Sequence, residues 1–254
     1  MFESLRILVN RPMPSRLTIK QSLAGMIAPP VCSLCLAAGQ KGDECWGLDL
    51  CVHCETACPR IAGLCPRCAQ PLAPDCLNCR ARPPSFDSAH CLFRYQAPVD
   101  AMVTRLKFGH ELVFARVLGI LLSRSLQQSA SALPECIVPV PLHRQRLLER
   151  GFNQSAEIAR HAAPRLGMKV QPHLLHRVRA TPAQSGLDAA ARARNLDHAF
   201  GVDRERPVPR HVALLDDVLT TGSTAEAATR ALKSAGCERV ELWVCARVLR
   251  HGPD

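Results

Sequence analysis

Two stretches of this chain concentrate residues able to do chemistry: four C-x-x-C pairs near the front, and the run LLDDVLTTGST at 214–224. The pairs are Cys32/Cys35, Cys51/Cys54, Cys65/Cys68 and Cys76/Cys79. A C-x-x-C knuckle aims two sulfurs at one ion, and two knuckles complete a closed tetrahedral site, so eight cysteines predict two zinc ions. The simplest assignment is sequential, with Cys32, Cys35, Cys51 and Cys54 on one ion and Cys65, Cys68, Cys76 and Cys79 on the other; an interleaved one also fits the spacing. A closed site leaves no coordination position for substrate, so the expected role is structural. A disulfide framework calls for a secretory signal, and a thioredoxin-like redox centre needs only one pair. Cys45, Cys58 and His53 fall outside the pattern, although His53 or Cys58 offers a substitute ligand.

The second stretch has the residue types that suit a ribose 5-phosphate. Backbone N–H groups of Thr220 to Thr224 are expected at a turn entering a helix, where unpaired amides and the positive end of the helix dipole favour a phosphate. Gly222 permits close backbone approach, and the hydroxyls of Thr220, Thr221, Ser223 and Thr224 add donors. Asp216 and Asp217, at the end of an apolar run, are placed to accept hydrogen bonds from two sugar hydroxyls. The plainer alternative is an ordinary helix start capped by Asp217 or Thr221. Two adjacent acids closing a buried run before a hydroxyl-rich glycine turn are more specific than a cap requires.

The elements that must position these residues follow from hydrophobic period. A strand is expected around Ala89 to Tyr95, then a helix from about Pro98 to Phe108 and a second helix over ELVFARVLGILLSRSL. CIVPVP at 136–141 reads as a buried strand, and a helix starts near Asn153, with Pro164 close to its end. VALLDD, the turn and AEAATRALKSAG make a strand-turn-helix unit ended by Gly236, and VELWVCARV follows as a strand. Such alternation implies a mostly parallel sheet with crossover helices, whose ligands lie outside the carboxyl ends of the strands. The expected organisation is a leader over 1–29, a cysteine-rich double zinc-ribbon module over 30–85, closed by the prolines of RARPPSF, and an α/β domain over 86–254.

Composition limits the function classes. The formal charge is +10, and eight thiolate charges against four from the metal lower it to +6, still suited to a polyanionic ligand. Aromatic residues make up 4%, too few for an extended base-stacking platform, though phosphate-led nucleic-acid binding stays open. No run of about 20 apolar residues is available to span a bilayer, so no integral membrane segment is expected. MFESLRILVNRPMPSRLTIKQSL reads as neither anchor nor signal peptide, and the expected location is the cytoplasm, including its inner-membrane face.

The run LLDDVLTTGST resembles the phosphoribosyl-diphosphate motif of type I phosphoribosyltransferases. VPVPLHRQRLLERGFNQ at 138–154, RATPAQSGLDAAARARNLDHAF at 179–200, RYQAPVDAMVTRLKF and the cysteine pairs narrow the resemblance to the ComF family of competence-associated proteins, with its ComFC and GntX types. It covers about residues 28 to 248. It implies a type I phosphoribosyltransferase fold binding 5-phosphoribosyl 1-diphosphate with magnesium, and a link to DNA uptake. It also implies that the loop after the strand at 136–141 holds the pyrophosphate, which nominates Leu142, His143, Arg144, Arg146, Arg150 and Gly151. Planar guanidinium donors match phosphate oxygens, although a solvated basic helix face accounts for any single arginine equally simply. Asn153 and Gln154 are candidates to cap the next helix instead.

By the same resemblance, Thr181, Gln184, Leu187, Arg192 and Asn195 lie on a mobile loop whose closure would exclude water, with Arg179, Arg192 and Arg194 competing for the closing contact. Lys107 also matches a family position. The reaction so implied is pentosyl transfer, in which Asp216 and Asp217 orient the ribose while Arg144 and Arg150 take the leaving diphosphate. The residues name no acceptor. The competing class is a non-catalytic protein handling single-stranded DNA on the same fold, working with DNA-uptake proteins; a third reading is a ligand sensor.

Overall fold

The computed structural model describes residues 30–41, 47–71, 76–129, 132–178, 199–203 and 205–249. The chain divides into two compact units, 1–55 and 56–254. In the first, Cys32 and Cys35 sit in a tight turn between bridged Val31 and Ala38, and Gln40 pairs with Leu48. The short helix α1 (Val52–Thr56) follows.

The second unit begins with another cysteine turn and the helix α2 (Leu77–Ala81). Strands β1 (Ser88–Arg94), β2 (Cys136–Pro139), β3 (Lys169–Val170), β6 (His211–Leu219) and β7 (Arg239–Arg247) then form one sheet in the order β1-β7-β6-β2-β3, every neighbouring pair parallel. Strands β4 (Leu175–Arg177) and β5 (Phe200–Val202) make a separate antiparallel pair that the sequence did not suggest. The helices are α3 (Val99–Phe108), α4 (Val113–Gln127), α5 (Arg144–Arg150), α6 (Gln154–Leu166) and α7 (Ser223–Ser234). The expected α/β class with a mostly parallel sheet flanked by helices is therefore what forms.

Parallel strands covered by helices read as continuous apolar runs, and Val212 to Leu215 and Leu242 to Ala246 are all buried. Helices α4 and α6 pack closely because Gly119 has no side chain: a Cβ there would stand 2.7 Å from the Ile158 carbonyl oxygen. The outer edge of β1 is not left open. The Arg94 N–H donates to the Pro59 carbonyl at 2.8 Å and the Ala89 N–H to the Pro66 carbonyl at 2.8 Å, so the cysteine-bearing segment caps an edge that would otherwise invite pairing.

Two local features differ from expectation. Strand β6 runs on through both acids to Leu219, because β7 continues to pair with it through Leu219 and Arg247. The stretch expected as a basic loop after β2 folds into α5, with His143 as its N-cap and Gly151 as its left-handed C-cap.

Candidate functional site

The carboxyl ends of β1, β2 and β6 open into a cleft of about 360 Å³. Its charged lining is Lys107 from α3, Arg146 and Arg150 from α5, Arg177 from β4, and the acids Asp216 and Asp217 of β6. Cations thus outnumber acids by two to one around a small concavity, an arrangement that favours a ligand carrying several negative charges.

Successive strand residues point to opposite sides, so the two acids meet different partners. Asp216 Oδ1 accepts from the Ser155 hydroxyl at 3.1 Å and from the Asp217 N–H at 2.9 Å. Asp217 is 3% exposed; its Oδ1 accepts from the Val218 N–H at 2.8 Å and its Oδ2 pairs with Lys107 Nζ at 2.5 Å. Burial, reinforced by the adjacent Asp217 charge, raises the Asp216 carboxyl to about 7, while Lys107 and the Ser155 hydroxyl pull it back down.

Helix α6 holds this corner in register. The Asn153 side chain accepts from the N–H groups of Ser155 and Ala156 at 3.0 and 3.4 Å, and its Nδ2 donates to the Val140 carbonyl at 3.0 Å. One residue therefore caps the helix and ties the β2 exit to it. Arg150 donates to Gln154 Oε1 at 2.6 Å and stacks over the Phe108 ring at 5.4 Å; Arg177 stacks over Phe200 at 5.5 Å. Burial lowers the pKa of both guanidinium groups, and the facing acids oppose that shift.

Of the residues singled out from sequence, the cleft brings together Asp216, Asp217, Lys107, Arg146, Arg150, Leu142, Gln154, Thr220 and Thr224. Thr221, Gly222 and Ser223 line a neighbouring cavity of about 550 Å³, walled also by Cys68, Cys79 and Arg247. Within the turn, the Thr221 and Ser223 hydroxyls are hydrogen-bonded at 2.9 Å, and Gly222 takes a φ of 87° as the residue preceding α7. His143 accepts from the Gln145 N–H through Nδ1 at 3.3 Å, Arg144 is exposed, and Gly151 closes α5; none of the three lines either cavity. Thr181, Gln184, Leu187, Arg192 and Asn195, with Arg179 and Arg194, lie outside the described residues.

Arg177 and Tyr95 also line the cleft, and neither stands out in the sequence. Arg177 sits on a three-residue strand with no motif around it, and Tyr95 follows β1 with nothing to mark it beyond being the chain's single tyrosine.

The cysteines gather as two groups of four, Cys32, Cys35, Cys51, Cys54 and Cys65, Cys68, Cys76, Cys79, with sulfurs in each group within 4.8 Å of one another. The grouping is sequential, not interleaved. A ZnS₄ tetrahedron with bonds of about 2.3 Å has edges of about 3.8 Å. The Sγ separations of 3.6 Å for Cys35–Cys51, 3.9 Å for Cys65–Cys79 and 3.6 Å for Cys68–Cys76 match that edge. Each first pair lies on a turn whose next residue is left-handed, Leu36 at φ 64° and Ala69 at φ 55°. Each second pair sits at the start of a short helix, α1 or α2. Among the described residues, no helix is long and apolar enough to cross a membrane.

No family model matches the chain. It is 34% identical over 232 residues to the DNA utilization protein YhgH of Salmonella typhimurium, an alignment covering 88% of this chain and 100% of that one. It is 32% identical over 206 residues to competence protein F of Haemophilus influenzae, covering 78% of this chain and 90% of the other. Among solved structures, the glutamine phosphoribosylpyrophosphate amidotransferase of B. subtilis superposes with a TM-score of 0.35 at 19% identity, over 51% of this chain and 25% of that one.

Proposed function

Because the chain belongs to the ComF/YhgH family of competence and DNA utilization proteins, we propose that its cleft binds 5-phosphoribosyl 1-diphosphate with magnesium, as a phosphoribosyltransferase-like protein serving the use of external DNA. The observation that carries this reading is the joint placement of Asp216 and Asp217 with Thr220, Thr224, Arg146, Arg150 and Arg177 around one concavity. In it, the Asp216 carboxylate accepts from ribose hydroxyls, and the 220–224 turn at the start of α7 takes the 5-phosphate. The guanidinium groups of Arg146, Arg150 and Arg177 receive the diphosphate, whose charge grows as the anomeric bond breaks. Magnesium would neutralise that diphosphate. The two four-cysteine groups hold zinc in closed, structural sites.

Calorimetric titration of 5-phosphoribosyl 1-diphosphate with magnesium tests the proposal. Binding by the native protein, weakened at least tenfold in a folded Asp216→Asn/Asp217→Asn variant, is the expected result; unchanged binding in that variant refutes the assignment. Release of pyrophosphate with candidate acceptors then separates transfer from sensing. A second reading, handling of single-stranded DNA without turnover, is favoured by the names of the relatives and by the charge of +10. Salt-sensitive strand binding that survives loss of both acids would support it over the sugar-phosphate reading.

A further inference from the structure

We infer that Lys107 is the positioning residue of the acid pair of β6, its ammonium group bound to Asp217 so that a larger share of Asp216 meets the sugar as a carboxylate. The consequence for binding rests on the sugar-phosphate reading above; the electrostatic role does not. Two carboxylates on consecutive residues of a buried strand repel each other, and a low-dielectric setting tends to leave one of them protonated. A neutral carboxyl is a poorer acceptor for a sugar hydroxyl than a charged one.

The groups facing the pair come from every surrounding element. Lys107 approaches from α3, the Ser155 hydroxyl from α6, Arg150 from α5, and Arg177 from β4, with Arg146 beside the two arginines. Cys245 of β7 lies below, its thiol pushed well above its ordinary range by burial and therefore neutral. Lys107 differs from the arginines in touching Asp217 directly while its side chain stays largely covered, 21% exposed. Asp217 in turn has both oxygens engaged inside the chain, by Val218 N–H and by Lys107, which leaves Asp216 as the acid facing the ligand. The pair thus divides its labour, with Asp217 anchoring a cation and Asp216 binding. Lys107 lowers the Asp216 pKa that burial and Asp217 raise, so removing the ammonium moves that carboxyl's titration upwards.

The test has a ligand-free arm and a ligand arm. Carbon-13 NMR of aspartate-labelled protein follows the Asp216 carboxyl from about pH 5 to 9 in the native chain, Lys107→Met and Lys107→Arg. The native step is expected near 7, the Lys107→Met step above it, and the Lys107→Arg step back near the native value. Calorimetry with 5-phosphoribosyl 1-diphosphate and magnesium should then show Lys107→Met binding roughly fivefold more weakly at pH 7, with the gap closing by about pH 9. An unmoved step in folded Lys107→Met, or a loss of affinity equal at every pH, overturns the inference. Should Lys107→Met fail to fold, Asp217→Asn is compared with Lys107→Met/Asp217→Asn: the double variant is expected to titrate Asp216 above the single one, and equal steps in the two overturn the inference. Absence of binding by the native chain at all pH values would defeat the sugar-phosphate reading alone, since the NMR arm still reports on Lys107.

Discussion

The two four-cysteine groups use the same local device in different settings. Each joins a turn ending in a left-handed residue to the first turn of a short helix. The first belongs to unit 1–55, where Gln40 Nε2 bonds the Leu50 carbonyl and Glu55. The second is built into the sheet-bearing unit. Ala69, one residue past Cys68, is wholly buried in the same core cluster as Val212, Leu214 and Leu242. After α2, the Ser85 N–H donates to both oxygens of Glu226 on α7 at 3.1 and 3.0 Å, and Asp87 holds Lys233 and the Val240 N–H. The same four-cysteine device is therefore held by bonds within its own unit in one place and tied to the sheet's core and to α7 in the other.

Replacing the second group's helix pair, Cys76→Ser/Cys79→Ser, should produce the largest effect. It is expected to destabilise the 56–254 unit by on the order of 4 kcal/mol and to reduce zinc by one ion per chain. Cys32→Ser/Cys35→Ser should cost one zinc as well, while the sheet's cooperative unfolding, followed by the near-UV signal of Trp243 in a Trp46→Phe background, stays within about 0.5 kcal/mol of that background. Equal losses from the two variants would erase the distinction.

A smaller effect comes from pH. The folded Asp216 carboxyl holds its proton more tightly than the unfolded one, so its contribution to the 56–254 unit is full below its ordinary pKa and fades as pH rises towards about 7. Denaturant unfolding should show stability declining across that window, and Asp216→Asn should flatten the decline; a slope that the substitution leaves intact would place the titrating group elsewhere. The smallest effect belongs to the link between the second cysteine group and α7. Glu226→Ala removes the acceptor of the Ser85 N–H and should cost about 1–2 kcal/mol by the same denaturant assay while both zinc ions remain bound.

Much of this arrangement was legible in residue types. Cysteine pairs announce metal geometry because a C-x-x-C spacing already fixes two sulfurs. The run at 214–224 announces a strand, a turn and a helix because acids, a glycine and hydroxyls cluster between two apolar periods. Spacing did not reveal which side of the turn each hydroxyl faces, and Thr220 and Thr224 face one cavity while Thr221 and Ser223 face another. Nor did it reveal α5, whose RQRLLER sequence suits a basic loop as well as a helix until His143 and Gly151 cap its two ends. Arg177 was invisible for a different reason: it reaches the cleft from an antiparallel pair whose partner strand, β5, lies more than twenty residues along the chain, a contact no local pattern encodes.

Whether the acids of β6 and the turn entering α7 hold one phosphorylated sugar between them is decided by a crystal structure of the protein with 5-phosphoribosyl 1-diphosphate and magnesium. The expected density places a ribose hydroxyl within hydrogen-bonding distance of the Asp216 carboxylate, the 5-phosphate against the 220–224 backbone, and the diphosphate beside Arg146, Arg150 and Arg177. A ligand bound elsewhere on the chain, with the Asp216 carboxylate out of its reach, would contradict it.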